Sequence, residues 1–212
     1  MSGLPCFTIC IVHNFEKIFS TLNKHYIKVP LESFGKNPYK VLASTLLSSR
    51  TKDEVTLEAS KRLFVKAKNL EQLGQLDIRI IESLIYPVGF YKTKAKHLKK
   101  LAEIVVIRLK GKIPSTREKL MLLPGVGRKT ANLVLSRAFG IPAIAVDTHV
   151  HKISNMFGWV RTKTPEQTEL ELMKILPNKY WSEINRLFVS IGRQFTTQKK
   201  LEEFLMEQKL VT

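Results

Sequence analysis

Apolar residues recur along this chain at intervals of three and four. Leu42, Leu46 and Leu47 share one such stripe, and Leu98, Leu101, Ile104, Val105 and Leu109 share a second. Leu170, Met173, Ile175 and Leu176 form a third, and Ile184, Leu187, Phe188 and Ile191 a fourth. This spacing keeps side chains on one face of an α-helix, whereas the alternation of a half-buried strand is scarce. Prolines at 30, 38, 87, 114, 124, 142, 165 and 177 fall between the stripes or at their starts, where proline stops or opens a helix. The pattern predicts an all-α protein of about nine to eleven short helices. No internal repeat and no low-complexity tract interrupts it.

One stretch reads in more detail. Ser115 and Glu118 have the spacing of a capping box, which opens a helix carrying Leu120, Met121 and Leu123 and stopping at Pro124. Gly125-Val126-Gly127 and Arg128-Lys129 follow. A second helical stripe then runs through Ala131, Leu133, Val134, Leu135, Ala138 and Phe139. Gly140 suits a left-handed helix end, and Pro142 prevents resumption. Residues 115–140 are therefore expected to be two helices joined by a tight glycine turn.

The 212 residues are enough to bury a core without staples, in one large domain or two small ones. A hydrophobic share of 44% and a charged share of 25% exclude disordered, collagen-like and disulfide-scaffold chains. Charge changes the picture more. Against 18 Asp and Glu stand 35 Lys and Arg, a net charge of +17. Such a basic protein is expected to meet a polyanion, nucleic acid first and acidic membrane second. No apolar run is long enough to span a bilayer, and the short apolar start Leu4–Val12 has no Lys or Arg before it, so it makes a poor signal peptide. A cytoplasmic, nucleoid-associated protein without membrane contact is expected. The two cysteines, Cys6 and Cys10, read as idle thiols of a reducing compartment.

The glycine turn is where the charge finds a use. Glycine permits positive φ and close approach of another molecule. The turn feeds a helix N-terminus, whose free N–H groups and dipole suit an anion such as a backbone phosphate. A plain helix–helix turn is the alternative. Lys129 lies in the first turn of that second helix, where cations are disfavoured. A nucleophilic amine has to be neutral to react, so the position suits one; a solvated or phosphate-binding lysine is the alternative. Asp147 ends an apolar run and precedes the stripe Val150, Ile153, Phe157, the position of an N-cap. A capping carboxylate is held rigidly and can also act as a base or steady a nearby cation.

Leu123-Pro124-Gly125-Val126-Gly127-Arg128-Lys129-Thr130-Ala131-Asn132, followed by Ala145-Val146-Asp147-Thr148-His149-Val150, closely resembles the helix–hairpin–helix DNA glycosylases, in particular the endonuclease III branch. The likeness extends from about Asn37 to Arg193, roughly three quarters of the chain. Leu46–Asp53 and Val88–Ala95 resemble the two loops that flank the family's active site. The resemblance implies two helical lobes with a catalytic cleft between them. A six-helix lobe with the hairpin would span residues 31–141, and 1–30 plus 142–212 would build the second. It implies a bifunctional glycosylase/AP lyase that excises oxidised pyrimidines from duplex DNA and acts as a monomer. Lys129 would attack the sugar, and Asp147 would assist. Gly125, Val126, Gly127, Arg128, Arg50, Phe90 and His149 would meet the DNA. Phe90 sits where the family places an apolar wedge; ordinary core packing is the alternative. Arg50 replaces a glutamine that probes the opposite strand.

Lys92, Lys96, Lys99 and Lys100 form a basic stripe that either contacts phosphates or is merely solvated. His149 and His151, two apart, point in different directions on a helix and do not read as a metal pair. Most of the branch carries four cysteines near the C-terminus for a [4Fe–4S] cluster, whereas here Thr196 follows Gly192-Arg193-Gln194-Phe195 and no cysteine occurs after Cys10. No cluster, metal or other cofactor is expected, and Leu201, Phe204 and Leu205 are expected to dock the C-terminal segment. The competing functions are a uracil/thymine mismatch glycosylase and a non-catalytic helix–hairpin–helix DNA-binding module. Net charge alone makes one prediction. Affinity for duplex DNA should fall with salt at a log–log slope of about −0.9 per phosphate neutralised. A flat salt response in a binding titration would remove the electrostatic basis for a nucleic-acid partner.

Overall fold

The computed structural model describes residues 14–211. Cys6, Cys10 and the apolar start Leu4–Val12 lie outside the described residues. All regular structure within them is helical. The α-helices are α1 (Phe15–Lys24), α2 (Pro38–Ser48), α3 (Asp53–Lys66), α4 (Leu70–Gln75), α5 (Ile78–Ile85), α6 (Tyr91–Arg108), α7 (Arg117–Met121), α8 (Arg128–Phe139), α9 (Thr148–Met156), α10 (Pro165–Ile175), α11 (Glu183–Gln194) and α12 (Gln198–Glu207). Two short 3₁₀ helices, Pro30–Phe34 and Asn178–Tyr180, join them. Twelve α-helices among the described residues exceed the nine to eleven expected. Two side-chain caps explain much of the excess. Asn69 accepts from Gln72 N and Asp77 from Arg79 N, restarting the helix twice within a short stretch.

Two hydrophobic cores result. The first runs from Tyr39 to Ala143 and is built around α2, which is buried at Tyr39 and from Val41 to Leu47. Seven helices, α2 to α8, surround it, rather than six. The second core unites Ile18, Phe19 and Leu22 of α1 with residues from Ile144 onward. Phe188 of α11 lies at its centre, fully buried, with Phe19, Phe157 and Trp159 rings around it.

Leu201, Phe204 and Leu205 are all buried in the second core, and Phe204 stacks on Phe195 with ring centroids 4.3 Å apart. The residues present do not fit an iron–sulfur cluster. The segment that would ligate one contains no thiolate and is closed by aromatic and aliphatic packing.

The cap of α7 falls one residue later than the capping-box reading. Thr116, not Ser115, accepts from Lys119 N at 3.4 Å, and the helix begins at Arg117. This register buries Leu120 and brings Arg117 to Asn132. The far end of the hairpin is as expected, with Gly140 left-handed at φ 66° after α8.

The third apolar stripe also needs correcting. Leu170 is exposed, and α10 buries Thr168, Glu169 and Leu172 instead. Glu169, 3% exposed, is the reason. Its carboxylate accepts from Arg128 Nε at 2.8 Å and Asn132 Nδ2 at 3.0 Å and lies 3.6 Å from the Arg117 guanidinium. Turning it inward turns Leu170 outward. Both hairpin helices are thereby fastened to α10. Glu169→Ala would leave two guanidinium groups without their shared counter-charge and should destabilise the fold by about 3–5 kcal/mol in urea unfolding. A loss below about 1 kcal/mol would mean the cluster does not hold the hairpin.

Candidate active site and nucleic-acid interface

The hairpin turn uses its two glycines differently. Gly125 is left-handed at φ 77°, and a Cβ there would meet His97 Nδ1 of α6 at 2.6 Å. It is a packing glycine. Gly127 is extended, and a Cβ there would meet open space. It is the N-cap of α8 and offers no side chain to the first amides of the helix, whose backbone N–H groups therefore face outward. Val126 is buried in the first core and donates its N–H to Leu123 O, so its side chain anchors the turn and does not reach outward. Arg128 is held by Glu169, and that hydrogen bond raises its already high pKa. Lys129, beside it, is exposed and has no side-chain partner among the described residues.

Asp147 caps α9, accepting from Val150 N at 2.8 Å, and is half-buried. The chain leading to it is stapled on both sides. Asn132 Nδ2 donates to Ile144 O at 2.8 Å, and Asn185 Nδ2 of α11 donates to Ala145 O at 3.0 Å. The first staple joins a residue three beyond Lys129 to a residue three before Asp147. Arg137 of α8 in turn donates to Asn185 at 3.2 Å. Burial pushes the Arg137 guanidinium down, and the charges of Glu32, Tyr26, Asp147 and Asp53 pull it back up.

A second pair of residues comes from two other loops, α2–α3 and α5–α6. Arg50 and Phe90 are both left-handed, at φ 52° and 57°, which is uncommon for residues with side chains. Phe90 is 63% exposed, which excludes the core-packing reading, and the Arg50 guanidinium carbon lies 5.5 Å from its ring centroid. Behind them Lys94 of α6 is buried. Its ammonium donates to Leu47 O at 2.8 Å, to Ser49 O at 2.5 Å and to Thr51 Oγ1 at 3.2 Å. Burial pushes its pKa down to about 8.

Between the lobes lies a cavity of about 470 Å³, lined by Thr51, Lys52, Asp53 and Glu54 on one side and His149, Gly192, Arg193 and Thr196 on the other. Arg193 crosses it, with Nη1 2.6 Å from Asp53 and Nη2 on Glu54. His149 presses on Gly192, where a Cβ would stand only 2.1 Å from its Nδ1. His151 instead meets Thr168 Oγ1 at 2.6 Å, so the two histidines diverge as expected. A larger hollow of about 560 Å³, lined by Tyr39, Leu70, Ile113 and Phe139 among others, contains none of these groups.

Residues 43–178 match the family model described as HhH-GPD superfamily base excision DNA repair protein. The chain belongs to this superfamily. It is 47% identical over 158 residues to endonuclease III of Thermotoga maritima, a match that covers 74% of each chain. It is 46% identical over 159 residues to endonuclease III-like protein 1 of Mus musculus, covering 74% of this chain but about half (53%) of the mouse protein. Two solved structures share its fold with a TM-score of 0.74 and cover 87% of this chain and 88% of theirs. One is a trapped endonuclease III–DNA covalent intermediate with an estranged adenine, at 32% identity, and the other a non-covalent endonuclease III–DNA complex, at 33%.

In this HhH-GPD protein several residues that position the site escaped the sequence reading. Asn132 and Asn185 sit inside apolar helical stripes, and a polar residue in such a stripe is a signal of a buried hydrogen-bonding role. Glu169 and Lys94 gave no local signal. Lys99 left the basic stripe for another task, since it donates to Gly74 O and Leu76 O at the end of α4, and Lys100 pairs with Glu103. Lys92 and Lys96 remain exposed.

Lys94 makes stability depend on pH in a definite direction. Its amine binds a proton more weakly in the fold, near 8, than at its ordinary value of 10.5. Below pH 8 both states are protonated and the fold carries the full desolvation cost, about 3 kcal/mol. Between pH 8 and 10.5 the unfolded chain holds the extra proton, so the cost is relieved. Unfolding at pH 7, 8.5 and 10 should show the wild type gaining stability relative to Lys94→Met. A gap that stays constant with pH would mean that burial does not perturb this amine.

Proposed function

We propose that this protein is a bifunctional DNA glycosylase/AP lyase of base excision repair that removes oxidised pyrimidines from duplex DNA. The observation that carries the reading is the Lys129 amine at the mouth of the hairpin, exposed and without a partner among the described residues, on a helix fastened through Asn132 to the chain that presents Asp147. Outward-facing amides at the start of α8 receive a DNA phosphate and set the strand in register. The damaged nucleotide leaves the stack, at a cost of a few kcal/mol, and its base enters the cavity between Asp53, His149 and Arg193. Phe90 and Arg50 occupy the space it vacates.

Lys129 Nζ, as the free amine, attacks C1′ of the sugar. The C1′–N bond to the base breaks, and the base departs with a proton. Asp147, as the carboxylate, offsets the positive charge that develops on the sugar and relays one proton from the attacking amine to the departing base. The C1′–O4′ bond then opens, O4′ taking a proton from water, and the resulting Schiff base acidifies the C2′ hydrogen. Loss of that proton expels the 3′ phosphate by β-elimination, and water then frees the lysine. The trapped covalent complex of the endonuclease III neighbour supports this course. The enzyme works as a monomer on chromosomal DNA in the cytoplasm; among the described residues, no helix is long and apolar enough to cross a membrane.

Borohydride should trap an enzyme–DNA adduct on a duplex containing dihydrouracil or thymine glycol, and Lys129→Ala should abolish it. Persistent trapping in that variant would assign the chemistry to another amine. Asp147→Asn should lower turnover by about a hundredfold or more while leaving DNA affinity within a few-fold. Excision confined to uracil or thymine opposite guanine would replace the oxidised-pyrimidine reading with that of a mismatch glycosylase.

A further inference from the structure

Lys94 is an anomaly. It is 6% exposed, carries a charge and has no carboxylate partner among the described residues. A methionine would fill similar space without the desolvation cost. All three of its hydrogen bonds go to one short segment. Leu47 O belongs to the last turn of α2, whose final carbonyls lack helical partners, and Ser49 O follows directly. The ammonium therefore caps the C-terminus of α2, where a cation is favoured, although Lys94 itself sits in the first turn of α6. The third acceptor, Thr51 Oγ1, also accepts from Gly89 N at 3.1 Å and donates to Ser49 O at 3.2 Å. Gly89 completes the lock, because a Cβ there would stand 2.6 Å from Arg50 O.

Two loops from distant parts of the chain are thus bolted together at the residues that flank Arg50 and Phe90. Each of those residues is held left-handed, a conformation that persists only where surrounding contacts impose it. Lys94 reaches neither ring nor guanidinium. It fixes the backbone that aims them.

We propose that Lys94, with Gly89, is a positioning residue for base extrusion, holding Arg50 and Phe90 as one preset unit that enters the duplex. This rests on the reading above, in which that pair fills the vacated space. The unit matters most where a paired and stacked base has to be displaced and least where the nucleotide is already unpaired.

The test uses the full chain on three substrates: a dihydrouracil in a fully paired duplex, the same lesion in a bubble of mismatches, and a preformed abasic site. Lys94→Met should lower single-turnover excision from the paired duplex on the order of tenfold to a hundredfold. Rates on the bubble and the abasic site should stay within about threefold. Gly89→Ala moves the same loop without touching the buried charge and should show the same selective loss. Equal loss on all three substrates in both variants would mean a merely structural role and overturn the proposal, as would full activity in both. Phe90→Ala is the control for the underlying reading. If it excises normally from the paired duplex, that reading fails and the proposal with it. If it is impaired while Lys94→Met and Gly89→Ala are not, only the proposal fails.

Discussion

The arrangement of this molecule depends on one buried carboxylate. Glu169 comes from α10 in the second core, yet its oxygens serve Arg128 and Asn132 of α8 and face Arg117 of α7, all from the first lobe. Asn132 is fully used by this cluster. Its oxygen accepts from Arg117, and its two N–H groups go to Glu169 and to Ile144 O. A buried ion cluster contributes little net stability compared with apolar packing, but it fixes a single relative position of the parts it joins. Here those parts are the hairpin that carries Lys129 and the strap that ends at Asp147.

The cluster also divides the charges of the hairpin. Arg128 and Lys129 are neighbours in sequence and both basic, but Arg128 turns inward to a carboxylate and Lys129 is left in solvent. A high positive charge is therefore not spread evenly over interchangeable cations. Lys94 and Lys99 cap helix ends through carbonyls, and Arg193 braces the interlobe cavity against Asp53. Some of the cations are thus structural, and fewer than the composition suggests are free to meet phosphates.

Local features of the site were legible in the sequence. The hairpin, the left-handed stop at Gly140, the Asp147 cap and the apolar face of α12 follow from residue types acting on their own neighbours within four positions. What escaped reading was partner choice at long range. Thr116 and Ser115 are chemically equivalent caps, and burial of Leu120 together with the reach of Arg117 to Asn132 decides between them. Val126 looked like part of a binding loop but plugs the core beneath it. The stripe on α10 misled because a glutamate occupies an inward position that hydropathy assigns to a leucine. In each case the deciding contact is made with residues far away in sequence.

The C-terminal closure has a consequence of its own. Phe195, Leu201, Phe204 and Leu205 shut the second lobe mainly by hydrocarbon contact, with Lys17 donating to Lys209 O beside them. Maturation of this lobe thus asks nothing of iron delivery or sulfide supply, and oxidants that dismantle thiolate-bound iron find no target in it. A C-terminal segment held this way keeps its packing whether or not iron is at hand.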